Sequence, residues 1–189
     1  MKKKIILLAI SMLVIMSCST KMNEHNTSLE PKIKDWKNEV EKTIKLYGHR
    51  NWIVVADAAY PLQSNPAIKT ITVENDQIEV IEFVNQLIKE SRHVDANIFI
   101  DKELAYVPEA DGPGIESYRS KLDNLFKTRT VERMLHEDII RKLDESAKLF
   151  NVLIIKTNMD LPYTSVFYQL ECGYWNAEAE ENLRDQMND

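Results

Sequence analysis

Three short stretches of this 189-residue chain set polar side chains where acid/base chemistry could be done: Gly48-His49, Asp57-Ala58-Ala59-Tyr60-Pro61, and the run from Lys156 to Ser165 that contains Thr157, Asn158, Met159 and Tyr163. An imidazole titrates near pH 6.5 when unperturbed, so His49 can both take and give a proton around neutrality. A carboxylate such as Asp57 accepts charge-assisted hydrogen bonds from hydroxyls, and a phenol such as Tyr163 donates or accepts. Each stretch also has a plain structural reading. A histidine after a helix-ending glycine can be a cap or a surface residue, an aspartate after a strand a turn former, and Pro-Tyr a turn dipeptide. Taken together and in this order they say more.

Other chemistries are poorly supplied. His93 and His136 have no Cys or acidic partner at a recognised ligand spacing apart from the adjacent Glu137-Asp138, so no metal site is expected. Cys18 and Cys172 are too few for a disulfide framework or a thiolate zinc site, and Cys172 reads as a small core hydrophobe. The 30 Asp+Glu outnumber the 24 Lys+Arg, giving a charge of −6. That field repels a phosphate backbone, which argues against nucleic acid as a partner.

The first segment reads as an address. Lys2, Lys3 and Lys4 precede an apolar run from Ile5 to Met16, and Ser17 follows; this is the pattern of a secretory signal, too short for a typical spanning helix. Ile15-Met16-Ser17-Cys18 resembles the bacterial lipobox, which implies cleavage before Cys18 and lipidation of it. The expected organisation is a signal peptide over 1–17, the lipidated Cys18 with a polar tether over 18–28, one α/β domain over 29–176 and an acidic tail over 177–189. The expected location is the bacterial cell envelope, on a lipid anchor.

The elements that must position the polar residues follow from periodicity. Ile33, Trp36, Val40, Ile44 and Tyr47 share one helical stripe, which Gly48 ends. Trp52 to Ala56 is a continuous apolar run, as a buried strand requires, and Asp57 closes it. Ile68 to Val73 and Ala96 to Ile100 read as strands; Ile81, Val84, Leu87 and Ile88 mark a helix between them. Pro108 to Gly114 is loop, followed by helices carrying Tyr118 and Leu122, then Ile139 and Leu143. Val152 to Ile155 and Val166 to Leu170 complete the strands. Apolar strands separated by helices predict a single three-layer α/β domain with a mainly parallel or mixed sheet flanked by helices. Ligands in such folds sit beyond the carboxyl ends of strands, where Asp57 and the 157–165 loop fall.

The ordered motifs resemble the D-ribose pyranase and L-fucose mutarotase family. There a helix ends in Gly-His, an Asp-Ala-x-(Phe/Leu)-Pro motif follows, and a late strand runs into Thr-Gly-Glu-x-x-x-Tyr-(Ala/Gly)-Asn. The resemblance spans roughly Leu29 to Trp175, and the middle, Val94 to Leu125, is closer to the fucose branch. Asn158-Met159 stand where the family has Gly-Glu, and Ser165 where it has Asn. The resemblance implies a monosaccharide ligand, His49 as acid/base, Tyr163 as a second polar group at the reacting end, and Asp57, Tyr60, Arg141 and Ser165 in contact with the sugar. Arg141 follows from counting back from Thr157 without a gap, and a solvated helix-face arginine is its alternative. The resemblance further implies a homo-oligomer in which neighbours complete each other's sites. Ring opening takes a proton from the anomeric hydroxyl and delivers one to the ring oxygen, so neither cofactor nor metal is expected. Two alternatives stay open: a non-catalytic small-molecule binder on the same fold, and a structural lipoprotein.

Overall fold

A computed structural model describes residues 35–188. The expected signal peptide, Cys18, the expected tether and the expected start of the first helix lie outside the described residues. The elements are α1 (Trp36–Leu46), β1 (Trp52–Ala56), β2 (Ile68–Thr72), α2 (Gln77–Glu90), β3 (Val94–Asp101), a 3-10 turn (Lys102–Tyr106), α3 (Ile115–Leu125), β4 (Val131–Met134), α4 (His136–Ser146), β5 (Val152–Lys156), β6 (Val166–Cys172) and α5 (Ala177–Asn188).

The strands form one six-stranded sheet in the order β2-β5-β1-β6-β3-β4. β2, β5 and β1 run parallel, β3 and β4 run parallel, and β6 lies antiparallel between β1 and β3. Successive strand residues point to opposite faces, and both faces are covered. Ile53, Val55, Ile98, Ile100, Leu153 and Ile155 pack with α1, α2 and α3, while Trp52, Val54, Phe99, Ile154 and Phe167 pack with Ile139 and Leu143 of α4. All five residues of β1 are buried, which is why that strand reads as an unbroken apolar run. Trp52 stacks on Phe99 at 5.6 Å between ring centroids. Each fully buried Val, Leu, Ile or Phe contributes about 1.5–3 kcal/mol, so these two layers hold the strand ends where they are.

The mixed sheet and flanking helices are those expected from the sequence, with three additions. β4 was not legible because it is an edge strand whose Glu132 and Arg133 face solvent and break any apolar alternation. The Lys102–Tyr106 turn buries only Leu104. The acidic tail is helical: Glu178 and Glu180 occupy the first turn of α5, where their charge suits the positive end of the helix dipole, and Arg184 pairs with Glu180. Cys172 is half-buried at the end of β6 rather than in the core. His93 caps α1, its Nε2 lying 3.0 and 3.2 Å from the carbonyl oxygens of Ile44 and Tyr47, acceptors that the helix itself leaves unmatched. Among the described residues no helix is long and apolar enough to cross a membrane.

Candidate functional site

Sheet register builds the site. Val166, the first residue of β6, lies opposite Val55 of β1 on one side and Ile100 of β3 on the other. The carboxylates just beyond those positions, Asp57 and Asp101, therefore flank the residues that lead into β6. Ser165 Oγ donates to Asp57 Oδ2 at 3.0 Å, and the backbone N–H of Ala59 donates to Asp57 Oδ1 at 2.9 Å. Both oxygens of Asp57 are thus oriented from within the chain.

The second carboxylate holds a histidine. His136 opens α4, and its Nδ1 lies 3.1 Å from Asp101 Oδ1. The capping position, Leu135, has no side chain able to bond the free N–H groups of the first turn. The Glu103 carboxylate does so instead, accepting from the backbone N–H of His136 at 3.1 and 3.2 Å. Tyr163 completes the group: its ring meets the imidazole edge-on, with centroids 5.9 Å apart. Its backbone is left-handed (φ 58°), a conformation that costs a non-glycine residue roughly 1–2 kcal/mol, and it leaves the side chain partly exposed beside His136. The hydrogen bond to Asp101 raises the His136 pKa above 6.5, against an opposing contribution from burial; the charges of Asp101, Glu103 and Asp57 act in the same raising direction. Burial raises that of Asp101, with the hydrogen bond from His136 acting the other way.

A buried polar network fixes the loop that carries Tyr163 and Ser165. Gln77, at the start of α2, donates from Nε2 to the Thr164 carbonyl at 2.7 Å and accepts at Oε1 from Thr157 Oγ1 at 3.1 Å. Tyr118 of α3 donates to the same Thr164 carbonyl at 2.6 Å. Thr164 Oγ1 donates to the Leu161 carbonyl at 2.9 Å. Lys156 spans to the Tyr60 carbonyl at 2.7 Å, tying the loop after β1 to the end of β5.

Asp57, Tyr163 and Ser165 thus meet at one end of the sheet; the other expected residues lie elsewhere or face inward. His49 precedes β1 and Asp57 follows it, so five strand residues, roughly 16 Å, separate the two ends. At its own end His49 pairs with Glu171 at 3.1 Å, and Asn97 donates to the other Glu171 oxygen at 3.2 Å. Both line a groove of about 730 Å3 with Arg50, Trp175 and Glu180. Tyr60 is 5% exposed and packs its ring on Phe167, so it offers no open face for stacking; burial pushes its hydroxyl up to about 12. Ser165 is buried and reaches Asp57 rather than outward. Arg141 is an exposed residue of α4 paired with Asp138 at 2.9 Å. Five residues along a helix is a rotation of about 140° beyond a full turn, so Arg141 points away from the side of α4 that His136 occupies. Arg141 and His136 therefore occupy different sides of α4, and His136 is the residue of that helix that lies beside Asp101 and Tyr163.

In the sequence His136 reads only as a histidine without metal-ligand spacing, and Asp101 belongs to no motif. The signal was available: Asp101 ends the apolar run Ile98-Phe99-Ile100 as Asp57 ends β1. His136 follows β4, whose polar edge character hid it.

Residues 34–173 match the RbsD / FucU transport protein family, and the chain belongs to it. Among solved structures it is similar to the Bacillus subtilis RbsD complexed with D-ribose, at 18% identity over 70% of this chain and 91% of that one, with a TM-score of 0.51. It is also similar to a fucose mutarotase in complex with L-fucose from Streptococcus pneumoniae, at 25% identity over 69% and 89%, with a TM-score of 0.47. A search of curated proteins gave no match. The first of these likenesses bears out the α/β architecture.

Proposed function

We propose that this protein is a lipid-anchored envelope protein that binds a free monosaccharide and interconverts its cyclic forms by acid/base ring opening. Membership of the RbsD / FucU family supports a sugar ligand, and one observation carries the chemistry: His136, paired with Asp101, stands beside Tyr163 and within the field of Asp57 at a single strand end. His136 takes the anomeric proton, Asp57 holds a sugar hydroxyl, and the Tyr163 hydroxyl serves the second oxygen. His49, at the far end of the sheet, serves the site of a neighbouring copy in a homo-oligomer. A positioned acid/base accelerates by about 10²–10⁴-fold, enough for a reaction that already proceeds measurably in water.

Saturation-transfer NMR on ribose, fucose, galactose and glucose tests the reading. Enhanced exchange between ring forms or anomers of one of them is expected, with a loss of about 10²–10⁴-fold in His136→Gln. Folded protein that accelerates none of them refutes catalysis. A second reading, binding without turnover, is favoured by Met159: its thioether packs against the core where the family pattern has a carboxylate. Calorimetric sugar binding without exchange would establish that alternative.

A further inference from the structure

Asp101 is a costly residue for its place. It ends an apolar strand, is fully buried, and has a partner for only one oxygen: Oδ1 meets His136 Nδ1 at 3.1 Å, while Oδ2 is buried with none. Removing a carboxylate from water outweighs what one ion pair returns, so such a pair is a poor stabilising device. What it supplies is orientation. A carboxylate only accepts, so the Nδ1 bonded to it carries hydrogen and Nε2 keeps the free lone pair. Two further contacts hold the residue: Glu103 anchors its backbone N–H, and the Tyr163 ring packs against the imidazole.

We propose that Asp101 is the positioning residue of the proton-transfer site, holding His136 as the tautomer whose Nε2 takes the proton from the anomeric hydroxyl of the sugar. The identity of the proton donor rests on the ring-opening reading; the pairing does not. In that step the O–H bond of the anomeric hydroxyl breaks and its proton goes to Nε2. The released pair forms the carbonyl, and the bond from the anomeric carbon to the ring oxygen breaks. The ring oxygen keeps that pair and takes a proton from water, which is made good by the imidazolium. Nothing is oxidised or reduced, and closure on the other face reverses the steps. The groups facing the imidazole are Asp101 and Glu103 from β3 and the turn after it, Asp57 from β1, and Tyr163. On α4 itself Asp138 turns to Arg141, and Lys142 lies over the Phe99 ring.

Nitrogen-15 NMR of His136 in the wild-type chain and in Asp101→Asn tests the proposal without requiring turnover. The neutral wild-type ring is expected as the Nδ1–H tautomer. In Asp101→Asn its proton affinity should fall, by up to about fivefold for a pairing screened this far, and Asp101→Glu should restore much of it. The acidic limb of the exchange rate should move down by the same amount, with kcat lowered and KM little changed. An Nε2–H tautomer in the wild type overturns the proposal whatever the variants do, as does an unaltered midpoint in folded Asp101→Asn. The expected tautomer and midpoint in a chain that exchanges no sugar would leave the pairing standing and overturn the ring-opening reading instead.

Discussion

At the scale of single residues, the site depends on which groups are buried and which are paired. His136 is more than a third exposed, so its pairing with Asp101 is screened and contributes at most about 1 kcal/mol to stability. Its sign still follows from the raised pKa. The folded state binds the imidazole proton more tightly than the unfolded chain does, so the contribution is fully present below about pH 6.5 and is lost as pH rises through the folded value. Urea unfolding of wild type and His136→Gln should therefore differ most near pH 6 and converge near pH 9, by about 1 kcal/mol or less. The proposed activity runs the other way, because a base must be neutral: kcat/KM should fall on an acidic limb whose midpoint lies above 6.5. Residue types and strand ends made Asp57, Tyr163 and Ser165 legible in the sequence. They could not show that Ser165 turns inward to Asp57, or that His49 and Asp57 stand at opposite ends of β1, because a motif records order and not direction.

At the scale of elements, the loop between β5 and β6 is held by groups that lie far away in sequence. Gln77 is 1% exposed and serves Thr157 and Thr164 at once. Gln77→Leu should cost about 1–3 kcal/mol by removing two buried hydrogen bonds, although Thr164 keeps Tyr118 and Thr157 keeps the Ala56 carbonyl; this is seen as a lower urea midpoint, and sugar exchange should slow as Tyr163 loosens. A second element-level constraint is Gly173, where an added Cβ would sit 2.8 Å from the Val94 backbone nitrogen and 2.9 Å from the Arg92 carbonyl oxygen. Gly173→Ala should destabilise by about 1–3 kcal/mol, measured by the same unfolding. Buried strands and amphipathic helices were readable because period and burial coincide, as in β1 and α2. β4 was not, since its pairing with β3 is made by backbone groups that leave no mark on Val131-Glu132-Arg133-Met134.

At the scale of the whole molecule, the proposed anchor and oligomer have independent tests. Cys18→Ser should move the protein from the detergent-rich to the aqueous phase, and retention in the detergent phase would refute anchoring through Cys18. Co-assembly of His49→Ala with His136→Gln chains should restore exchange that neither variant has alone, if neighbours share sites. The sheet itself has one further consequence. β6 joins β1 to β3, and within the sheet neither β2-β5-β1 nor β3-β4 touches the other without it. A nascent polypeptide that stops short of residue 166 carries two half-sheets with raw edges, each an invitation to aggregate. Synthesis must be nearly finished before the chain can commit to its native shape, and the pairing of Ser165 with Asp57 is among the last things to form.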